Sequence, residues 1–227
     1  AAGIATRVGV LEKEALWLNR RFFTRVQAHR PYIILKWAET ANGYFGAADG
    51  QQRWISNAAS KQSLHKWRSE EDAILVGTNT ALVDNPSLTN RLWTGKSPKR
   101  VLVDQHLRVP QTASVFSEDV ETLVFNAQKF DWQPMLKYIT LENFNLYLPQ
   151  NIAYQLYLMD VQSLIVEGGA KLLQSFIDAG LWDEARILRA STSWDAGIMA
   201  PQLADATCIS RQAISSDSLL VYKNTTL

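Results

Sequence analysis

The chain has 227 residues, 47% of them hydrophobic and 20% charged, so it is long and apolar enough to bury one sizeable core; its formal net charge of +1 lacks the basic surplus that nucleic-acid binding demands. No apolar run approaches the roughly 18 residues of a membrane span, and the N-terminus lacks the basic-then-apolar order of a signal peptide, so a soluble, cytoplasmic protein is expected. Cys208 is the sole cysteine, which excludes an intrachain disulfide and a thiolate metal cage, and it reads as a buried structural residue of a strand. His29, His65 and His106 are scattered without metal-ligand spacing, so no metal is expected.

In chain order, apolar positions 11, 15, 18 and 22 fall on one face of a helix, preceded by so little that it looks like the tail of something larger. Arg30-Pro31 punctuates, and Tyr32 to Trp37 reads as the first strand of the main domain. A loop with flexible points at Gly43, Gly46 and Gly50 follows. Ser56 or Asn57 can cap a helix reaching about Glu70, with Leu64 and Trp67 inward and Arg68 just beyond them. From Asp72 an apolar run breaks at Gly77, offers Thr78 as a helix N-cap and closes on Asp84-Asn85-Pro86, a strand delivering a polar turn. This β-loop-α-β order favours parallel pairing.

Arg100 to Val103 and Glu121 to Asn126 are further strands, joined through Gln105, His106, Arg108 and Pro110; between 130 and 149 the clearest element is a short strand at Asn145 to Leu148. A helix from Asn151 leads into Ser163 to Val166 and then Glu167-Gly168-Gly169. A second helix places Leu172, Leu173, Phe176 and Ile177 inward and stops at Gly180. Ala185 to Leu188 resumes as a strand, and Ala206 to Ile214 and Ser218 to Tyr222 form an antiparallel pair.

In an open α/β sheet, ligands collect beyond the carboxyl ends of the strands, which draws attention to Thr80, Asp84, Asn85 and Arg91. Gly168-Gly169 joins a buried strand to a helix start and suits a phosphate, or merely makes a tight turn. Glu167 can bond a ligand or brace the backbone, and Arg68 and Arg91 can clamp a phosphate or stay solvated. Lys36 snorkels to the surface on the ordinary reading, and Trp54 stacks on a heterocycle or packs. No Gly-x-Ser-x-Gly elbow, Walker loop or His-Glu-x-x-His helix is present, and no Gly-x-Gly-x-x-Gly follows the first strand.

Together, Arg30-Pro31-Tyr32, Trp54-Ile55-Ser56, Asp72 to Gly77, Asp84-Asn85-Pro86 with Leu88 and Arg91, Arg100 to Asp104, Glu167-Gly168-Gly169 and Leu181 to Glu184 stand in the order of a known family. The series resembles the reductase domain of the bifunctional riboflavin-biosynthesis deaminase/reductase, a relative of dihydrofolate reductase in fold. Ala2-Gly3-Ile4, Gly9-Val10-Leu11, Leu18-Asn19 and Phe22-Phe23 resemble the end of the preceding deaminase domain, giving residues 1–30 as its remnant and 31–227 as the reductase domain. The zinc motifs of that domain are absent, so no deamination is expected of this chain.

The resemblance implies a dihydrofolate-reductase-like three-layer α/β sandwich, a mixed sheet with a C-terminal antiparallel hairpin. It implies NADPH-dependent reduction of the ribosyl group of 5-amino-6-(5-phosphoribosylamino)uracil, and a homodimer. NADPH would lie against Ala38, Trp54, Ser56, Thr80, Asp84, Gly169, Ala170, Lys171 and Leu172, and the substrate against Arg68, Leu88, Arg91 and Glu167. Asp84 would be the catalytic acid, its alternative being a turn cap; His106 and Arg108 suggest a 2′-phosphate contact. The chain departs from the family with Asn42 and Asn85 where Asp is usual, with Gln52 and Gln105 in place of Ser, and after Arg189. These departures motivate a rival reading, a nucleotide-binding or dimerisation module that has lost catalysis; a pterin or folate reductase of the same fold is the other rival.

Overall fold

A computed structural model describes residues 3–51 and 53–226, so Ala2 and Gln52 lie outside the described residues. Strand β1 (Tyr32–Glu39) is buried on both sides at Ile33, Ile34 and Leu35, the signature of a central strand in a sheet covered on both faces. It pairs in parallel with β8 (Ser163–Val166) and β9 (Glu184–Arg189). Parallel pairing continues from β8 through β3 (Ala73–Gly77), β4 (Lys99–Val103) and β5 (Thr122–Asn126) to β7 (Leu136–Thr140), with antiparallel β6 (Asp131–Trp132) at that edge. At the other edge β12 (Asp217–Asn224) lies antiparallel on β9, and β11 (Ala206–Ile214) on β12. The resulting ten-stranded sheet is the mixed sheet with a C-terminal hairpin that the sequence implies.

Helices cover both faces. Alternation along β1 sends Ile33, Leu35 and Trp37 toward Ile152 and Leu156 of α5 (Leu148–Leu158) and Leu173 and Phe176 of α6 (Ala170–Asp178). Ile34 faces the opposite layer, where Trp67 of α3 (Ala58–Glu70) and Ala81 of α4 (Thr78–Asp84) pack with Leu88. Each fully buried aliphatic side chain contributes about 1.5–3 kcal/mol relative to exposure. Asn57 caps α3, its Oδ1 accepting the Ser60 N–H at 2.9 Å. Gly180, at φ 65°, follows α6 as expected of a stop.

Several local expectations are corrected. The single N-terminal helix is two, α1 (Glu12–Leu18) and α2 (Arg20–Ala28), because Asn19 spends both its backbone and side-chain N–H groups on the Ala15 carbonyl and ends the first helix. Their apolar face is not buried; α2 is tied down instead by Arg21 on the buried Glu71 carboxylate and by Arg25 on Asp160. Thr78 is the first residue of α4, not its cap: its Oγ1 lies 2.9 Å from the Val103 carbonyl. Asn145 to Tyr147 is a turn running into α5, and the strands of that region are β6 and β7, whose mixed composition hid them. The loop after β1 carries β2 (Tyr44–Ala47), paired with β10 (Gly197–Met199) in a separate small sheet. Cys208 is exposed, because β11 is an edge strand.

Candidate active site

Beyond the carboxyl ends of β1, β3 and β8, on the α3–α4 side, a crevice of about 340 Å³ opens. Ala38 and Lys36 reach it from the same face of β1, Arg68 and Leu64 from α3, Thr80 and Asp84 from α4, and Glu167 from the end of β8. Trp54 and Ser56 close it from the loop before α3, and Leu88 forms its floor. Phe45 and Gly46 of β2 and Ile198 of β10 supply the outer wall. The unusual segment after Arg189 thus completes the crevice by pairing with the loop after β1. Gly197 is needed there, since a Cβ would stand 2.6 Å from the Gly46 carbonyl oxygen.

The electrostatic centre is a buried pair. Arg68 Nη2 donates to Glu167 Oε2 at 3.0 Å while its Nη1 donates to the Thr89 carbonyl at 3.1 Å. Arg68 Nε and Glu167 Oε1 are buried with no partner among the described residues, so one donor and one acceptor remain for a polar ligand. Burial pushes the Glu167 carboxyl up, but the charges of Arg68 and Lys36 outweigh it and hold the group below the usual carboxylate range. Burial pulls the Lys36 ammonium down, with Glu167 opposing and Arg68 adding to the shift. Asp84, half-buried and without a hydrogen-bond partner for its carboxyl among the described residues, is pushed up by burial alone.

The turn after α4 is built under strain. Asn85 and Leu88 have φ of 40° and 55°, in the left-handed region, at a cost of order 1–3 kcal/mol each. Two arginines hold it: the fully buried Arg100 donates Nε to the Ser87 carbonyl at 2.8 Å, and Arg68 takes Thr89. Pro86 and Leu88 therefore face the crevice, while the Arg91 side chain is exposed against Ser87 and Thr89.

Eight residues singled out from the sequence, Ala38, Trp54, Ser56, Arg68, Thr80, Asp84, Leu88 and Glu167, converge on this crevice. Arg91 stands outside its lining, and Gly169 to Leu172 form the start of α6 behind it. The two glycines differ in how tightly they are packed. A Cβ on Gly168 would meet Leu172 Cδ2 at 2.6 Å and the Gly77 nitrogen at 2.9 Å, so that glycine serves packing. Gly169 has room, its nearest neighbour being Thr80 Oγ1 at 3.7 Å from a Cβ, and its N–H donates to that oxygen at 3.0 Å. Trp54 is 68% exposed with Lys61 Nζ 4.8 Å from its ring centroid, which overturns core packing as its role. His106 and Arg108 are exposed on the loop after β4, where Arg108 reaches Asn79 at 3.4 Å.

Lys36 is the residue whose position sequence reasoning missed. Its signal was its parity in β1, which places it on the same face as Ile34 and Ala38, so that it enters the crevice. The two asparagine departures, by contrast, lie outside the lining. Asn85 Oδ1 accepts the Ser114 N–H at 2.7 Å, and Asn42 bridges the Trp194 backbone, donating to its carbonyl at 2.7 Å and accepting its N–H at 3.2 Å.

Comparison with known proteins decides the family. The model of the RibD C-terminal domain matches residues 31–193. The chain belongs to the RibD C-terminal domain family. The riboflavin biosynthesis protein RibD of Aquifex aeolicus (strain VF5) is 39% identical over 189 residues, covering 80% of this chain and 52% of that protein. RibD of Bacillus amyloliquefaciens is 34% identical over 211 residues, 89% of this chain and 56% of its own. A crystal structure of a diaminohydroxyphosphoribosylaminopyrimidine deaminase/5-amino-6-(5-phosphoribosylamino)uracil reductase from Thermotoga maritima superposes with a TM-score of 0.85 at 27% identity, over 95% of this chain and 63% of that one. The chain thus spans about half the length of the curated RibD relatives it matches. The fold is the dihydrofolate-reductase-like sandwich of RibD reductase domains, and the family match leaves helices α1 and α2 outside its range.

Proposed function

We propose that this domain reduces the ribosyl group of 5-amino-6-(5-phosphoribosylamino)uracil to the ribityl form at the expense of NADPH, as a step of riboflavin biosynthesis. The observation that carries the reading is the meeting, in one crevice, of a buried Arg68–Glu167 pair with unspent polar atoms and a carboxyl, Asp84, raised by burial. A reduced nicotinamide, when bound, would supply hydride to C1 of the opened sugar.

The chain's own residues would do the rest. Ala38, Trp54, Ser56, Thr80 and Asp84 line the crevice and would take the cofactor, whose phosphates would meet the backbone at the start of α6, where a Cβ on Gly169 would touch only Thr80 Oγ1, at 3.7 Å. Arg68 and Arg91 would hold the substrate phosphate, Leu88 its apolar edge, and Glu167 Oε1 a hydroxyl or ring N–H. Asp84 would hold the proton that the substrate nitrogen gains, a task suited to a carboxyl lifted above its ordinary value. Helices α1 and α2, with Leu11, Leu18 and Phe22 exposed, are assigned to the end of a neighbouring deaminase-type domain.

The test is NADPH oxidation followed by absorbance with the phosphorylated pyrimidine, its dephosphorylated form, and a dihydropterin-type substrate in parallel. Turnover of the phosphorylated pyrimidine with loss of catalytic efficiency on dephosphorylation is expected. Equal efficiency without the phosphate sinks the arginine assignment, and a preference for the pterin transfers the site to a folate-type reductase.

A further inference from the structure

His65 is buried at 1% exposure on α3, one helical turn before Arg68. Its Nδ1 accepts the backbone N–H of Arg91 at 3.0 Å. That bond leaves the ring proton on Nε2 and makes the imidazole an acceptor, a role the charged form could not fill. The same helix face therefore grips the turn after α4 twice, Arg68 donating to the Thr89 carbonyl and His65 accepting from Arg91 two residues later. The grip bears on a segment that needs it, since Leu88 holds a left-handed φ of 55° just upstream.

We propose that His65 is a positioning residue for the substrate phosphate: through its neutral Nδ1 it fixes the backbone of Arg91, and so the point from which that guanidinium would join Arg68 on the phosphate. The proposal rests on the reading of Arg68 and Arg91 as the phosphate clamp. Unlike those arginines, His65 touches no substrate; it sets the spacing between two charges carried on different elements, α3 and the turn, which a bidentate grip on one phosphate requires. The surroundings keep the imidazole neutral. Burial, then the positive charges of Arg68, Arg91 and Lys61, pull it down to about 4, with Glu167 from the end of β8 opposing. The acceptor is thus in place throughout the neutral range.

The experiment measures KM and kcat for the phosphorylated and dephosphorylated pyrimidine in wild type, His65→Leu, His65→Asn, His65→Gln and Arg91→Met. An Asn side chain sets its amide oxygen at the Nδ1 position, whereas Gln sets it nearer Nε2. His65→Leu should raise KM for the phosphorylated substrate about tenfold with kcat nearly unchanged and no change for the dephosphorylated one; His65→Asn should restore the wild-type KM and His65→Gln should not. Should His65→Leu fail to fold, the Asn and Gln variants carry the same comparison, and equal KM values for the two overturn the proposal. A rise in KM of the same size for both substrates overturns it as well, because His65 then acts on the fold at large. If Arg91→Met abolishes the preference for phosphate while the His65 variants leave it intact, His65 alone is dismissed; if Arg91→Met also leaves it intact, the clamp and the positioning role fall together.

Discussion

Asp84 carries the heaviest chemical assignment in the molecule. Burial raises its carboxyl, so the protonated fraction that the proposed proton delivery would need declines as pH rises through the folded-state value. By linkage the same raised carboxyl gives stability that is present below its unfolded value and lost as pH rises through the folded one. Asp84→Asn is expected to lower kcat by about 10²–10³ with little change in NADPH affinity, and to remove this alkaline decline from the pH–rate profile; an unchanged profile would reassign the ionisation. Asn85 gives the opposite lesson. From the sequence its missing charge threatened catalysis, but its Oδ1 accepts the Ser114 N–H, a task that amide and carboxylate oxygens perform alike. Asn85→Asp should leave kcat within about twofold, while Asn85→Ala should lower stability by about 1 kcal/mol in a denaturant titration, by removing that bond and placing alanine at a left-handed φ. A sequence names such residues but not their direction, and adjacency to Asp84 made Asn85 look chemical when the left-handed backbone at that position turns it away.

At the scale of elements, the crevice is a product of parallel β8 and β3 ending side by side with almost no space between them. Gly168 is the measure of that closeness, and Gly168→Ala should cost about 2–3 kcal/mol, because the Gly77 nitrogen it would strike is backbone and cannot swing aside. Gly169→Ala finds room and should leave stability within about 0.5 kcal/mol. Its added methyl faces the proposed phosphate path, so NADPH affinity by titration should fall; unaltered affinity would move the phosphates elsewhere. The parallel strands were legible because β1, β3, β4, β5 and β8 are short apolar runs bounded by turn residues. The strands β2, β6, β7 and β10 were not, since they are short or of mixed polarity and exist through pairing with partners distant in the chain or in an ill-defined stretch. The outer wall of the crevice, built from β2 and β10, was illegible for that reason, whereas the inner wall came from the well-marked strands and helices.

For the whole molecule, the ordered motifs between residues 30 and 190 identified the family before any contact was known, and the family model spans residues 31–193. Local spacing could not show that the buried Glu71 carboxylate anchors α2 to the domain, because Arg21 and Glu71 lie 50 residues apart. Among the described residues no helix is long and apolar enough to cross a membrane. The rival account, a domain that binds nucleotide without turning over, was motivated by Asn42 and Asn85, and both are engaged with backbone away from the crevice. The most direct measurement is transfer of label: incubate the protein with NADPH deuterated at nicotinamide C4 and the phosphorylated pyrimidine, and locate deuterium in the product by mass spectrometry and NMR. The account predicts one deuterium at C1 of the ribityl chain; cofactor binding with no label transferred to the pyrimidine product would contradict it.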